Sequence, residues 1–194
     1  MRRFLSILVA MMLWFSASAD ERGVERLQRL SRHYASLGNY SLNFALNVAG
    51  VEQKGELRVD GNNMYMSLAD TEVFVVDSVR YEVQKSKKEI VVDKADLYES
   101  ELISPLQGLS KLSNDFDIVE QLVEGRVQLY LTPKRSGDAI TIVLTVDGEA
   151  AERIIYGSGE GAVTLEVERA KKSAGALPKF DIARYNGFEM IDFR

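Results

Sequence analysis

Hydrophobic and polar residues alternate along most of this chain, and the clearest case is the stretch YSLNFALNV, residues 40–48. Its apolar positions are every second residue: Tyr40, Leu42, Phe44, Leu46 and Val48. Successive side chains on a β-strand point to opposite faces, so this stretch predicts a strand with one apolar face and one polar face.

The same alternation returns along the chain and predicts a large antiparallel sheet of about eleven strands. Turn residues at 60–63 and at Asp147-Gly148 favour tight hairpins between strands. Residues 73–76 are apolar on both faces, which is typical of a central strand. The predicted strands are 40–48, 55–59, 64–68, 72–76, 80–83, 88–92, 116–122, 127–131, 140–146, 151–156 and 163–167, with short closing strands at 180–182 and 188–193.

Two stretches follow a helical period instead. From Asp20 to Leu37, apolar residues recur every three or four positions and charged residues lie largely between them, which predicts an amphipathic helix that ends at Gly38. Ser104 followed by Pro105 is a favourable helix start, and leucines at 106, 109 and 112 form an apolar stripe after it. The predicted class is therefore α+β.

The first nineteen residues are typical of an export signal. Two arginines precede an apolar run from Phe4 to Phe15, and residues 17–19 form an Ala-Ser-Ala cleavage site. We expect cleavage after Ala19, a periplasmic location and a single domain over residues 20–194. An uncleaved N-terminal anchor is the alternative. The chain contains no cysteine, so an exported domain must gain its stability from its core.

Charge narrows the class of partner. The whole chain carries a formal charge of −5, and it is more acidic without the two arginines of the predicted signal. With no basic run, the surface argues against nucleic acid and against electrostatic docking on anionic lipid. We expect a monomer that is not stably inserted in a membrane.

Candidate catalytic groups are few. One histidine, His33, and no cysteine disfavour nucleophilic catalysis and a zinc or iron site. Asp93, Asp96, Glu99 and Glu101 form an acidic cluster that lacks the spacing of a calcium loop, and we interpret it as a solvated helix face. A hydrolase that uses two of the chain's carboxylates remains an alternative. The glycines of residues 157–161 precede a strand and predict a hairpin loop, not a phosphate site.

The predicted sheet has an apolar face that is wider than one helix can cover. Two amphipathic helices, one before the sheet and one inserted into it, can cap this face together. A loose cap would leave a pocket for an acyl chain, whose burial is favourable by about 0.8 kcal/mol per CH₂. The pocket prediction follows from alternation alone and names nine residues, with no metal and no cofactor: Phe44, Leu46, Leu57, Met64, Met66, Phe74, Tyr81, Leu106 and Leu109.

The order of several short motifs resembles the outer-membrane lipoprotein carrier (LolA-like) family, in its Bacteroidetes form. The motifs span nearly all of the predicted mature chain: 55–59 (GELRV), 75–77 (VVD), Tyr81, 104–106 (SPL), 131–134 (LTPK), 147–148 (DG), 180–182 (FDI) and 187–192 (GFEMID). The resemblance implies an incomplete eleven-stranded barrel with a helical lid and no enzymatic activity.

The resemblance also implies a function and partners. A member of the family accepts lipoproteins from an inner-membrane lipoprotein-releasing transporter, sequesters their acyl chains and passes them to an outer-membrane acceptor. The family's lid arginine is replaced here, since Gly61 and Asn62 occupy the matching positions, and Arg58 or Arg80 are the candidate substitutes. The alternative function is an envelope sensor related to the periplasmic regulators of anti-sigma factors, which would bind a lipid or lipoprotein.

Overall fold

The structure is a computed structural model that describes residues 21–95, 109, 112–173 and 175–194. Helix α1 (Glu21–Leu37) precedes a thirteen-stranded sheet. The strands are β1 (Asn39–Val48), β2 (Val51–Asp60), β3 (Asn63–Leu68), β4 (Thr71–Val76), β5 (Val79–Gln84), β6 (Glu89–Lys94), β7 (Phe116–Val123), β8 (Arg126–Pro133), β9 (Ile140–Leu144), β10 (Ala151–Tyr156), β11 (Val163–Val167), β12 (Lys171–Lys172) and β13 (Glu189–Asp192).

Helix α1 matches the predicted N-terminal helix within one residue. Its buried side chains include Leu27, Leu30 and Tyr34, which lie three and four residues apart and therefore on one face. Gly38 follows with a φ of 66°, a left-handed conformation that ends helices and favours glycine. None of the described helices is long and apolar enough to cross a membrane.

The strands form one unclosed sheet in the order β13-β6-β5-β4-β3-β2-β1-β11-β10-β9-β8-β7, with β12 paired to β1. Neighbouring strands are antiparallel, except that β13 runs parallel to β6. The predicted class, an open antiparallel half-barrel with few helices, is confirmed. Strand β13 corresponds to the predicted closing strand at 188–193, whereas β12, a two-residue strand that pairs with β1, was not predicted.

We define the inner face of the sheet as the face that carries Leu42 and Phe44. Its apolar side chains form one buried cluster that extends from β4 to β7 and includes the buried face of α1. Nine neighbouring strands span about 38 Å at the usual spacing of 4.7–4.9 Å, whereas a helix is about 10–12 Å wide. A flat sheet of that width would leave most of the cluster exposed, so the sheet must curve around α1.

A second buried cluster lies on the opposite, outer face of β3 to β6. Phe74, Val83, Ile90 and Val92 belong to it, and the C-terminal segment, residues 178–194, covers it with Tyr185. Residues 180–182 are not the predicted closing strand, because Ile182–Tyr185 form a 3₁₀ helix capped by the side chain of Asp181. That helix turns Tyr185 onto the outer face.

Several predictions fall partly or wholly outside the described residues. The Ser104-Pro105 helix start lies there, although residues 109 and 112–115 are helical. The signal peptide and its cleavage site also lie there, and both remain predictions.

Candidate functional site

The inner face brings together six of the nine residues predicted to line a pocket. Strand register places them side by side, since Leu42 pairs with Leu57 and Leu57 pairs with Met66. All six belong to the inner cluster or pack directly against it: Phe44, Leu46, Leu57, Met64, Met66 and Leu109. They form one continuous apolar surface, and five of them are at most 5% exposed in the described state.

Phe44 occupies its place because Gly55 lies opposite it on β2. A Cβ on Gly55 would lie 2.4 Å from Cζ of Phe44 and 2.6 Å from the carbonyl oxygen of Ser67. Both contacts are shorter than real Cβ atoms show, so only glycine at this position lets the ring lie across β2. Sequence reasoning included Gly55 in a motif without identifying this reason.

Helix α1 covers the inner face through a small set of contacts. Tyr34 accepts a hydrogen bond from the backbone N–H of Ala151 at 3.2 Å. Arg26 donates to Glu120 on β7 at 3.0 Å, and both side chains are about one-fifth exposed. A Cβ on Gly23 would lie 3.1 Å from Cγ2 of Ile118, so the first turn of α1 lies close against β7.

The tyrosine hydroxyls between α1 and the sheet, those of Tyr34 and Tyr40, stay protonated at physiological pH. Burial raises the pKa of Tyr34 to about 12, although the hydrogen bond from Ala151 opposes the shift. Burial also raises the pKa of Tyr40, whose ring centroid lies 5.7 Å from that of Tyr34. The covered face therefore holds no charge that an apolar ligand would meet at these positions.

Two predicted pocket residues are on the wrong face. Phe74 belongs to the outer cluster, and Tyr81 packs against that cluster because it pairs with Phe74 across β4 and β5. On β4 the inner positions are Val73 and Val75, which join the inner cluster. Residues 73–76 are apolar on both faces of the strand, so alternation could not tell which pair of residues faces inward. The remaining predicted residue, Leu106, lies outside the described residues.

The inner face changes from apolar to polar between β4 and β5. Val75 pairs with Arg80, and Arg80 pairs with Asp93 on β6, so all three point to the inner side. Arg80 donates to Oδ2 of Asp93 at 2.9 Å and also bonds Glu82, two residues along β5. We call Arg80, Glu82 and Asp93 the inner charged cluster; sequence reasoning missed it as a unit.

The register also separates the two candidate substitutes for the family's lid arginine. Arg58 pairs with Tyr65 on the outer face and donates to Glu56 at 2.7 Å. It therefore lies on the side of the sheet away from α1. Of the two arginines, only Arg80 lies on the inner face, and it already bonds two carboxylates.

A cavity of about 670 Å³ lies on the outer face of β10, β11, β1, β2 and β3. Its lining carries five carboxylates, which have partners among the described residues: Glu52 with Lys54, Glu56 with Arg58, Glu152 with Arg126, Glu166 with Arg153 and Glu168 with Asn43. An acyl chain would desolvate these ion pairs without replacing their hydrogen bonds, so this cavity does not suit an apolar ligand.

A buried carboxylate joins the C-terminal segment to the sheet. Glu72 on β4 accepts hydrogen bonds from the hydroxyls of Tyr65 and Tyr185, each at 2.9 Å. Burial raises the pKa of Glu72, but these bonds and the nearby Lys85 outweigh burial, so the net shift is downward. The carboxylate therefore stays ionised and works as a double acceptor that fixes Tyr185.

The described residues contain no group of three or more histidine, cysteine, aspartate or glutamate side chains that could hold a metal ion. His33 makes an edge-to-face contact with Tyr34, with ring centroids 5.5 Å apart. Of the predicted acidic cluster, Asp93 is described, and it lies on strand β6 and bonds Arg80 on the inner face instead of lying on a solvated helix face.

No family model matches this chain, and no curated protein matches it significantly. Solved structures share its fold. An uncharacterized conserved protein from Thermus thermophilus aligns with a TM-score of 0.55 and 8% identity, over 87% of this chain and 98% of that one.

Two further likenesses have TM-scores below 0.5. A putative outer membrane lipoprotein-sorting protein domain from Vibrio parahaemolyticus aligns with a TM-score of 0.47 and 9% identity, over 87% of this chain and 97% of that one. MucB in the MucA/MucB complex of Pseudomonas aeruginosa aligns with a TM-score of 0.42 and 17% identity, over 80% of this chain and 59% of that one. At such identities a likeness concerns the fold alone.

Proposed function

We propose that this protein is a periplasmic carrier that binds the acyl chains of lipoproteins on the inner face of its sheet and shuttles them from the inner to the outer membrane. The supporting observation is the single apolar surface that runs across nine strands and is covered by a separate helix. Its partners would be an inner-membrane lipoprotein-releasing transporter and an outer-membrane acceptor.

Cargo must displace part of the cover, because the inner residues are buried in the described state. Three large side chains of α1, Leu27, Leu30 and Tyr34, lie against the sheet. Exposing them costs about 5–9 kcal/mol at roughly 1.5–3 kcal/mol each. An acyl chain with about fourteen buried CH₂ groups returns about 11 kcal/mol. The return exceeds the cost by about 2–6 kcal/mol, so one chain can exchange with α1, which suits a reversible carrier.

A disulfide between α1 and β7 tests this exchange. The chain has no native cysteine, and the Cβ of residue 23 would lie within reach of residue 118. We expect the variant Gly23→Cys with Ile118→Cys to bind a tripalmitoylated cysteinyl peptide when reduced and to lose at least tenfold in affinity when oxidised. Gly23→Cys alone is the control, and its affinity should not depend on oxidation.

Two results would contradict the proposal. Equal affinity of the oxidised and reduced double variant would show that acyl chains do not enter beneath α1. Absence of binding by the unmodified protein, with no lipopeptide in extracts of protein purified from its native envelope, would remove the carrier function. Release of lipoproteins from spheroplasts by the purified protein is the direct assay of shuttling.

A second candidate function is an envelope sensor that binds a protein partner. One observation favours it: the polar cavity on the outer face is open to a partner while α1 still covers the inner face. This function predicts stable capture of a membrane-anchored partner that survives oxidation of the α1 disulfide. A carrier predicts that such capture is absent.

A further inference from the structure

The inner charged cluster has unused hydrogen-bonding capacity. Nε of Arg80 and Oδ1 of Asp93 are buried atoms with no hydrogen-bond partner. Most buried polar atoms in folded proteins are paired, and each unpaired one is costly, so a free donor beside a free acceptor requires an explanation. The two residues are cross-strand partners, which places these atoms on the same part of the inner face.

The cluster adjoins the apolar surface directly. Arg80 lies opposite Val75, which is 3% exposed and belongs to the inner cluster. The side chains of Arg80 and Asp93 are 28% and 30% exposed, so the cluster is partly open to solvent although the two unpaired atoms are buried. The inner face is therefore divided into a wide apolar zone from β4 to β7 and a narrow polar zone on β5 and β6.

The charge balance of the polar zone restricts what it can bind. One guanidinium already faces two carboxylates, Glu82 and Asp93, and Gln84 donates to Glu82 at 2.8 Å. A phosphate would approach two carboxylates and one cation whose charge they already balance, which is unfavourable. A neutral amide carries a carbonyl oxygen that matches the donor Nε of Arg80 and an N–H that matches the acceptor Oδ1 of Asp93, and it brings no charge to the cluster.

We propose that Arg80 and Asp93 form a site for the neutral amide head of an acylated ligand whose hydrocarbon chain lies in the apolar zone. This inference rests on the proposed function, since it assumes that acyl chains bind on the inner face. It adds the chemical class of the head group, amide as opposed to phosphate, and the two residues that recognise it.

The test compares two probes that share a sixteen-carbon chain: N-hexadecanoyl glycinamide and hexadecyl phosphate, below their aggregation concentrations at pH 7. We expect the unmodified protein to bind the amide about tenfold more tightly, the effect of roughly one hydrogen bond. Asp93→Ala should remove this preference by weakening amide binding. Arg80→Lys, which keeps the charge but not the Nε position, should do the same.

Glu56→Ala is the matched control, because Glu56 pairs with Arg58 on the outer face in a similar two-residue ion pair. The Glu56→Ala variant should prefer the amide probe over the phosphate probe as strongly as the unmodified protein does. Equal affinities of the unmodified protein for both probes would overturn the inference even if a cluster variant fails to fold. Failure of both probes to bind would instead refute the proposed function.

Discussion

The hydrogen bonds that Glu72 accepts attach the C-terminal segment to the sheet, and substitution of Glu72 tests this attachment. Glu72 is 7% exposed and accepts one hydrogen bond from Tyr65 and one from Tyr185, each at 2.9 Å. Hydrogen bonds to a charged acceptor contribute about 1.5–3 kcal/mol, compared with about 1 kcal/mol for neutral pairs. Glu72→Gln keeps the shape but removes the charge from both bonds. We therefore expect a loss of about 1–3 kcal/mol in the free energy of unfolding.

The same carboxylate predicts a pH dependence. The folded-state pKa of Glu72 lies below its ordinary value, because two tyrosine hydroxyls and Lys85 outweigh the effect of burial. A depressed acid pKa stabilises the fold above the unfolded-state pKa, and this contribution is lost as pH falls through the folded-state value. The unmodified protein should therefore lose more stability than Glu72→Gln between about pH 6 and pH 3.

Two assays follow the change. Urea unfolding at several pH values gives the free energy of unfolding, and trypsin cleavage at Lys179 and Arg184 reports local release of the C-terminal segment. Glu166→Gln is the control, since Glu166 forms a surface ion pair with Arg153 in which both side chains are nearly half exposed. The reasoning would be refuted if Glu72→Gln matched the control in stability, in pH dependence and in cleavage rate.

Three further substitutions probe the rest of the architecture. Gly55→Ala should lower the free energy of unfolding by about 1–3 kcal/mol, because the new Cβ would lie 2.6 Å from a backbone oxygen. Gly161→Ala is the control, since its Cβ would meet nothing within 4 Å, and its thermal midpoint should change little. Tyr34→Phe removes the acceptor for the Ala151 amide, so that amide should exchange hydrogen faster and stability should fall by about 1–3 kcal/mol. An unchanged exchange rate would show that this bond contributes nothing. Phe180→Ala removes a ring that stacks on Tyr81 with the ring centroids 4.2 Å apart. We expect the free energy of unfolding to fall by about 2–3 kcal/mol, as measured by urea unfolding followed with near-ultraviolet circular dichroism. An unchanged free energy of unfolding would argue against a structural role for the stack.

The sequence by itself determined which residues share a face within each strand, and it determined helix α1. Alternation placed Phe44 and Leu46 together, as the structure does, because side-chain direction has a period of two along any strand. The three- and four-residue spacing of Leu27, Leu30 and Tyr34 likewise placed them on one helical stripe. These are local consequences of backbone geometry.

Only the tertiary structure decided which face of a strand points inward where both faces are apolar. Phe74 and Val75 are adjacent and both buried, and they belong to different clusters because the C-terminal segment covers the outer face of β4. The inner charged cluster was hidden for a similar reason, since Arg80 and Asp93 meet only through the register of β5 and β6. Pairings between distant segments depend on which surfaces the chain buries together, and no local pattern records that choice.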